Sequence, residues 1–130
     1  MKWLYLSYFK VNNQIKEREV AMKIALVTTT FSTKPSDLRF QLALKTCQAA
    51  KKAGYPIHIV DGSPNPEISK QLFQAGAVVE SEKERGMGAS RRQCFRMGLN
   101  SGADVIVWLE PEKYPFVSLI YLFAKSFIMM

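Results

Sequence analysis

Cysteine is scarce: the 130 residues contain two, Cys47 and Cys94, and no Cys-x-x-Cys pair. That excludes a disulfide-stapled scaffold. It leaves two small thiols on the apolar faces of predicted helices, as expected for a reducing cytoplasm. Histidine occurs once, as His58 in the middle of a predicted strand, where it reads as a core or sheet-face residue. Neither a Ser-His-Asp order nor a Walker-type loop occurs. The net charge of +7 favours an anionic partner such as a nucleotide, a phosphate or a membrane surface, yet no basic tract reaches five residues. Nucleic-acid binding therefore rests on net charge alone and is not expected. Internal repeats and low-complexity segments are absent too.

Long apolar runs are also missing. Tyr114 to Met130 spans 17 residues and is interrupted by Lys125, against the ~20 residues a membrane span requires. It reads as an apolar C-terminal helix seeking a surface to bury against, and leaves peripheral membrane association open. The N-terminal patch Trp3 to Phe9 is short for a signal peptide, is broken by Lys10, and precedes no small-residue cleavage site. Residues 1–21 thus read as an extension ahead of the fold, 22–113 as the α/β domain and 114–130 as the final helix.

What remains is ordinary for one globular domain, with 48% hydrophobic and 22% charged residues. Ile24 to Val27 reads as a strand leading to Thr28-Thr29-Thr30. Ser36 is the expected N-cap of a helix whose inner face carries Phe40, Ala43, Leu44, Cys47 and Ala50, with Arg39 and Lys45 on the other side. Pro56 to Val60 is a second strand, stopping at Asp61-Gly62-Ser63. A short helix, Pro66 to Ala75, is expected to turn Ile68, Leu72 and Phe73 inward. Ala77 to Val79 is a third strand, and Gly86-Met87-Gly88 introduces a helix running to about Asn100. The apolar strand Val105 to Leu109 follows. The order β-α-β-α-β-α-β predicts a three-layer α/β fold with a mostly parallel sheet.

Such a sheet gathers its strands' carboxyl ends on one rim, where ligands bind. Here that rim carries Thr28, Thr29, Thr30, Asp61, Glu110 and Glu112. Asp61 before Gly62 serves either a turn's own backbone or a ligand, and both readings stay open. Glu110 and Glu112 flank Pro111, and at roughly 5–6 Å two carboxylates repel by about 3 kcal/mol at an effective dielectric near 20. They are either solvated or offset by a cation, and Mg²⁺ or Mn²⁺ suits such oxygens. Gly86-x-Gly88 at a helix start would let backbone N–H groups approach a phosphate, with Arg91 and Arg92 just beyond.

Four segments together carry a resemblance: Val27-Thr28-Thr29-Thr30-Phe31, Val60-Asp61-Gly62-Ser63, Gly88-Ala89-Ser90-Arg91-Arg92 and Trp108-Leu109-Glu110-Pro111-Glu112. Over residues 22 to about 120 the chain resembles family-2-type glycosyltransferases of the GT-A fold. The resemblance implies a nucleotide-diphospho-sugar partner and metal-assisted glycosyl transfer to an acceptor it leaves unspecified. It places Thr28 and Asp61 against uracil or guanine and the ribose, with Thr30 in the same nucleotide-sugar site. Arg92 or Arg91 comes near the base or diphosphate, and Glu110 and Glu112 take the place of the family's metal-binding Asp-x-Asp. The chain departs from that pattern in its Glu-x-Glu spelling and in lacking a match to the family's acceptor-binding second half. A non-catalytic fragment, or a small flavodoxin- or receiver-like binding module, is the competing expectation.

Overall fold

The computed structural model describes residues 6–10 and 22–129. Of the expected N-terminal extension, residues 1–5 and 11–21 lie outside the described residues. Five strands form one sheet: β1 (Leu6–Lys10), β2 (Ile24–Thr30), β3 (Ile57–Asp61), β4 (Val78–Ser81) and β5 (Val105–Leu109). Their spatial order is β1-β5-β2-β3-β4. Strands β5, β2, β3 and β4 run parallel, as the alternation of strand and helix requires. One strand was not anticipated: β1 pairs antiparallel with β5, Leu6 opposite Leu109 and Lys10 opposite Val105.

The helices are α1 (Leu38–Ala53), α2 (Pro66–Gln74), α3 (Met87–Asn100) and α4 (Ile120–Met129), with a 3₁₀ segment over Tyr114–Leu119. Alternate strand residues separate two cores. Ile24, Leu26, Ile59 and Val107 pack with Phe40, Leu72 and Ile120 beneath α1, α2 and α4. Val27, Val60, Ile106 and Trp108 pack with Cys94 and Met97 of α3 on the other face. Cys47 and Cys94 are buried in different cores, so the sheet separates them. Burial pushes each thiol up to about 12, where it stays a neutral apolar group. No described helix is long and apolar enough to cross a membrane.

Local chemistry explains most of the boundaries and three departures from expectation. The N-cap of α1 is Asp37, not Ser36: its carboxylate accepts the Arg39 N–H at 3.0 Å. Phe73 does not turn inward. It is 70% exposed, because nine residues of α2 bury only Ile68 and Leu72. Strand β4 extends to Ser81, two residues past the expected stop, because Gln93 of α3 holds it. The Gln93 amide donates to the Ser81 carbonyl (2.9 Å) and Glu80 (3.1 Å), and accepts from the Lys83 N–H (2.9 Å).

Helix α3 lies unusually close to the sheet. A Cβ on Gly98 would sit 3.0 Å from Val27 and 3.1 Å from Ile106. Gly98→Val should therefore overpack this interface and destabilise the fold by about 1–3 kcal/mol, measured as a lower urea midpoint.

His58 is buried on the same face, and its Nε2 has no partner among the described residues. Desolvation lowers its pKa below 6.5, and the nearby Glu80 carboxylate opposes the shift only in part. The unfolded chain thus binds a proton that the folded chain refuses. This contribution to stability is complete above pH 6.5 and is lost as pH falls through the folded-state value. Urea midpoints should drop on acidification below pH 6.5, and His58→Phe should flatten that part of the profile.

Candidate functional site

From β2 the chain winds outward to β3 and β4. It then returns through α3 to place β5 on the opposite edge of β2. This is a topological switch point, where the strand order reverses and a crevice opens at the strand ends. A cavity of about 440 Å³ lies there, lined by Thr29 and Thr30 of β2 with Phe31 and Ser32 just after it, and by Trp108 of β5 with Glu110, Pro111 and Glu112 just after it. Its walls are Arg39 and Phe40 of α1 and Met87, Ser90 and Arg91 of α3, with Gly62 and Glu82 at the far end. The volume falls within the about 300–1,000 Å³ typical of ligand sites.

The structure brings Thr30, Arg91, Glu110 and Glu112 together in this crevice. It does not bring Thr28, Asp61 or Arg92 to the lining. Thr28 lies one turn of the pleat deeper, buried, with its hydroxyl oxygen unpartnered among the described residues. Arg92 is exposed and its guanidinium lies near Gly88, outside the crevice. Asp61 sits on the same rim, in an adjoining hollow that shares Gly62 and Glu82 with the crevice.

The turn reading of Asp61 is the one the coordinates describe, with a longer reach than a turn. One carboxylate oxygen accepts from the Thr30 hydroxyl (2.8 Å), the Ser63 hydroxyl (2.6 Å) and the Ser63 N–H (3.3 Å). The other accepts from the Ser69 hydroxyl of α2 (2.6 Å). Ser63 Oγ in turn accepts the Ser32 N–H at 2.9 Å. Four donors satisfy a buried charge. Asp61 thereby fixes the loop that presents Phe31 and Ser32 to the crevice.

The Glu-Pro-Glu segment is a turn closed by the Lys113 N–H donating to the Glu110 carbonyl at 3.0 Å. Pro111, at the second position, presets its φ. The buried Thr46 of α1 donates to the Pro111 carbonyl at 2.6 Å, so this turn is bolted to the core. Glu112 is less well served. Its Oε2 lies 3.4 Å from Arg39 Nη2, and its Oε1 is buried with no partner among the described residues. On the opposite wall the Arg91 guanidinium lies over the Trp108 ring, 4.8 Å from the centroid, a cation–π contact that orients it without neutralising it.

Three carboxylates (Glu82, Glu110, Glu112) thus face two guanidiniums (Arg39, Arg91) around one cavity. Ser90 donates to Glu82 at 3.1 Å. Helix α3 opens at Gly86, φ +113°, a conformation costly for any side chain, and no side chain caps its first N–H groups. Among the described residues no group of three or more His, Cys, Asp or Glu side chains gathers as a metal site. A Mg²⁺-type ion commonly takes only one or two carboxylates and completes its shell with phosphates and water. The two glutamates, one with a buried orphan oxygen, fit that use.

Arg39, Glu82 and Thr46 escaped the sequence reading. Arg39 was assigned to the outer face of α1, yet any first-turn residue of a helix following β2 stands beside the rim. Glu82 would have been found by extending β4 to Ser81, since it is then that strand's exit. Thr46 offers no sequence signal.

Comparisons with protein-family models, curated proteins and solved structures found no match to the chain. What the crevice can do is therefore read from its own side chains.

Thr46→Val should cost about 1–3 kcal/mol by leaving the Pro111 carbonyl without its donor. Amide exchange at Lys113 should accelerate as the turn loosens. Thr46→Ser should restore both, the first read by thermal unfolding and the second by NMR.

Proposed function

We propose that the chain binds a nucleotide-diphospho-sugar in the crevice between β2 and β5, as the nucleotide-binding part of a GT-A-type glycosyltransferase. The observation that carries this reading is the charge pattern at the switch point. A diphosphate alone would worsen an already acidic cavity, whereas a diphosphate that brings a divalent cation adds far less net charge to it. Glu110 and Glu112 would hold Mg²⁺ or Mn²⁺, and the unpartnered Glu112 Oε1 supports that assignment. Neutralising the departing nucleoside diphosphate is the chemistry such an ion supplies.

The chain's own side chains bind and orient. Arg91, placed over the Trp108 ring, offers its N–H groups to a phosphate. Phe31 is 68% exposed at the mouth and presents a ring face on which a nucleobase can stack. Among the described residues the Thr29 hydroxyl donates to the Met87 sulfur at 3.9 Å, a weak bond that a ligand can displace cheaply. Asp61 supports this site by positioning the Phe31–Ser32 loop through the Ser63 hydroxyl.

Titration calorimetry with UDP and GDP, with and without Mn²⁺, tests the proposal. One nucleotide should bind in a metal-dependent manner, and Glu112→Ala should weaken it by about 10- to 100-fold, the range for disturbing groups around a bound metal. Absence of heat from both nucleotides in the presence of Mn²⁺ overturns it.

A further inference from the structure

The two guanidiniums of the crevice are held in opposite ways. Arg91 lies on an aromatic ring that is itself buried. Arg39 makes one contact to Glu112 at 3.4 Å, with 74% of its side chain exposed. Charge-assisted N–H···O bonds normally close to about 2.7–2.9 Å, and exposed pairs of this kind contribute little to stability. Arg39 is cheap to detach. Its backbone is not: the Arg39 N–H is taken by the Asp37 cap at 3.0 Å, so α1 starts at a fixed point while the side chain can reorient.

Glu112 is the reverse case. Its turn is tied to α1 through the Pro111 carbonyl, so its backbone stays in place when a partner departs. One of its oxygens is buried and unpartnered, which a single guanidinium at the other oxygen does not cure. A divalent ion is the better partner for that carboxylate, and a phosphate is the better partner for the arginine.

We infer that Arg39 is an exchangeable counter-ion: it neutralises Glu112 in the absence of ligand and transfers to the ligand's phosphate when a divalent cation takes Glu112. This rests on the nucleotide-diphospho-sugar reading and adds to it a positioning residue that couples cation and phosphate binding. The exchange is a side-chain swing of α1 toward the cavity that Arg39 already lines, with no movement of the Glu110–Glu112 turn.

The test uses Mn²⁺ alone, then UDP at saturating Mn²⁺, on wild type, Arg39→Ala and Arg39→Lys at low salt. Free Mn²⁺ is followed by electron paramagnetic resonance, and melting curves check that the exposed substitutions leave the fold intact. Arg39→Ala should bind Mn²⁺ about two- to fivefold tighter, since a competitor worth a surface ion pair is gone. The same variant should bind UDP more weakly at saturating Mn²⁺, while Arg39→Lys stays near wild type in both. These opposite shifts are what a merely structural arginine would not produce. Unchanged or weaker Mn²⁺ binding by Arg39→Ala, in a protein whose wild type takes UDP with Mn²⁺, overturns the counter-ion role and leaves the nucleotide reading standing. Failure of wild type and variants alike to bind Mn²⁺ or UDP overturns both.

Discussion

Because β2 pairs in parallel with β3 on one side and with β5 on the other, it has no free edge and its following loop must leave from the middle of the sheet. Everything at the rim depends on this. Right-handed crossovers put α1 on one face and α3 on the other, and the starts of both helices then flank the same strand ends. The crevice is the space between them. Beneath it β2 and β5 are buried, and its lining mixes the Thr29 and Thr30 hydroxyls with apolar Phe31, Phe40 and Trp108 and with the charged side chains of strand exits and first helical turns.

Within that frame, hydrogen-bond satisfaction separates two kinds of acid. Asp61 is 4% exposed and accepts from four donors spread over β2, its own turn and α2. Such a carboxylate is a structural hub, and removing it would orphan several hydroxyls at once. Glu112 sits at a similar height on the rim with one weak cation and one orphan oxygen. Two acids that look alike as strand-end residues thus differ in what they have left to offer. That residual capacity marks a ligand-facing group more sharply than position on the rim does.

Much of the scaffold could be read before any coordinates. Apolar periodicities of two and about 3.6 located four strands and three helices in the right order, and with them the parallel sheet. Two of the differences are local and one is long-range. Ser36 and Asp37 are both good caps, and only the geometry of the Arg39 N–H chooses between them. Phe73 has the right spacing for an inner face, but α2 is short and meets the sheet through Ile68 and Leu72. Strand β1 was read as part of an extension because an antiparallel edge strand pairs with a segment nearly a hundred residues away, which no local pattern reports.

From the amino-acid order alone came the alternation of elements, the buried thiols, and the expectation of a rim carrying Thr28, Thr29, Thr30, Asp61, Glu110 and Glu112, because these follow from side-chain periodicity and from strand direction. Tertiary structure alone decided that Thr46 holds the Glu-Pro-Glu turn, that Arg39 rather than solvent faces Glu112, and that Asp61 is occupied by hydroxyls. The reason is physical: hydrogen bonds and ion pairs between α1, α2 and the strand ends are set by how helices pack across the sheet. Residues 65 or 73 positions apart acquire their meaning only when that packing brings them to 2.6 Å and 3.4 Å.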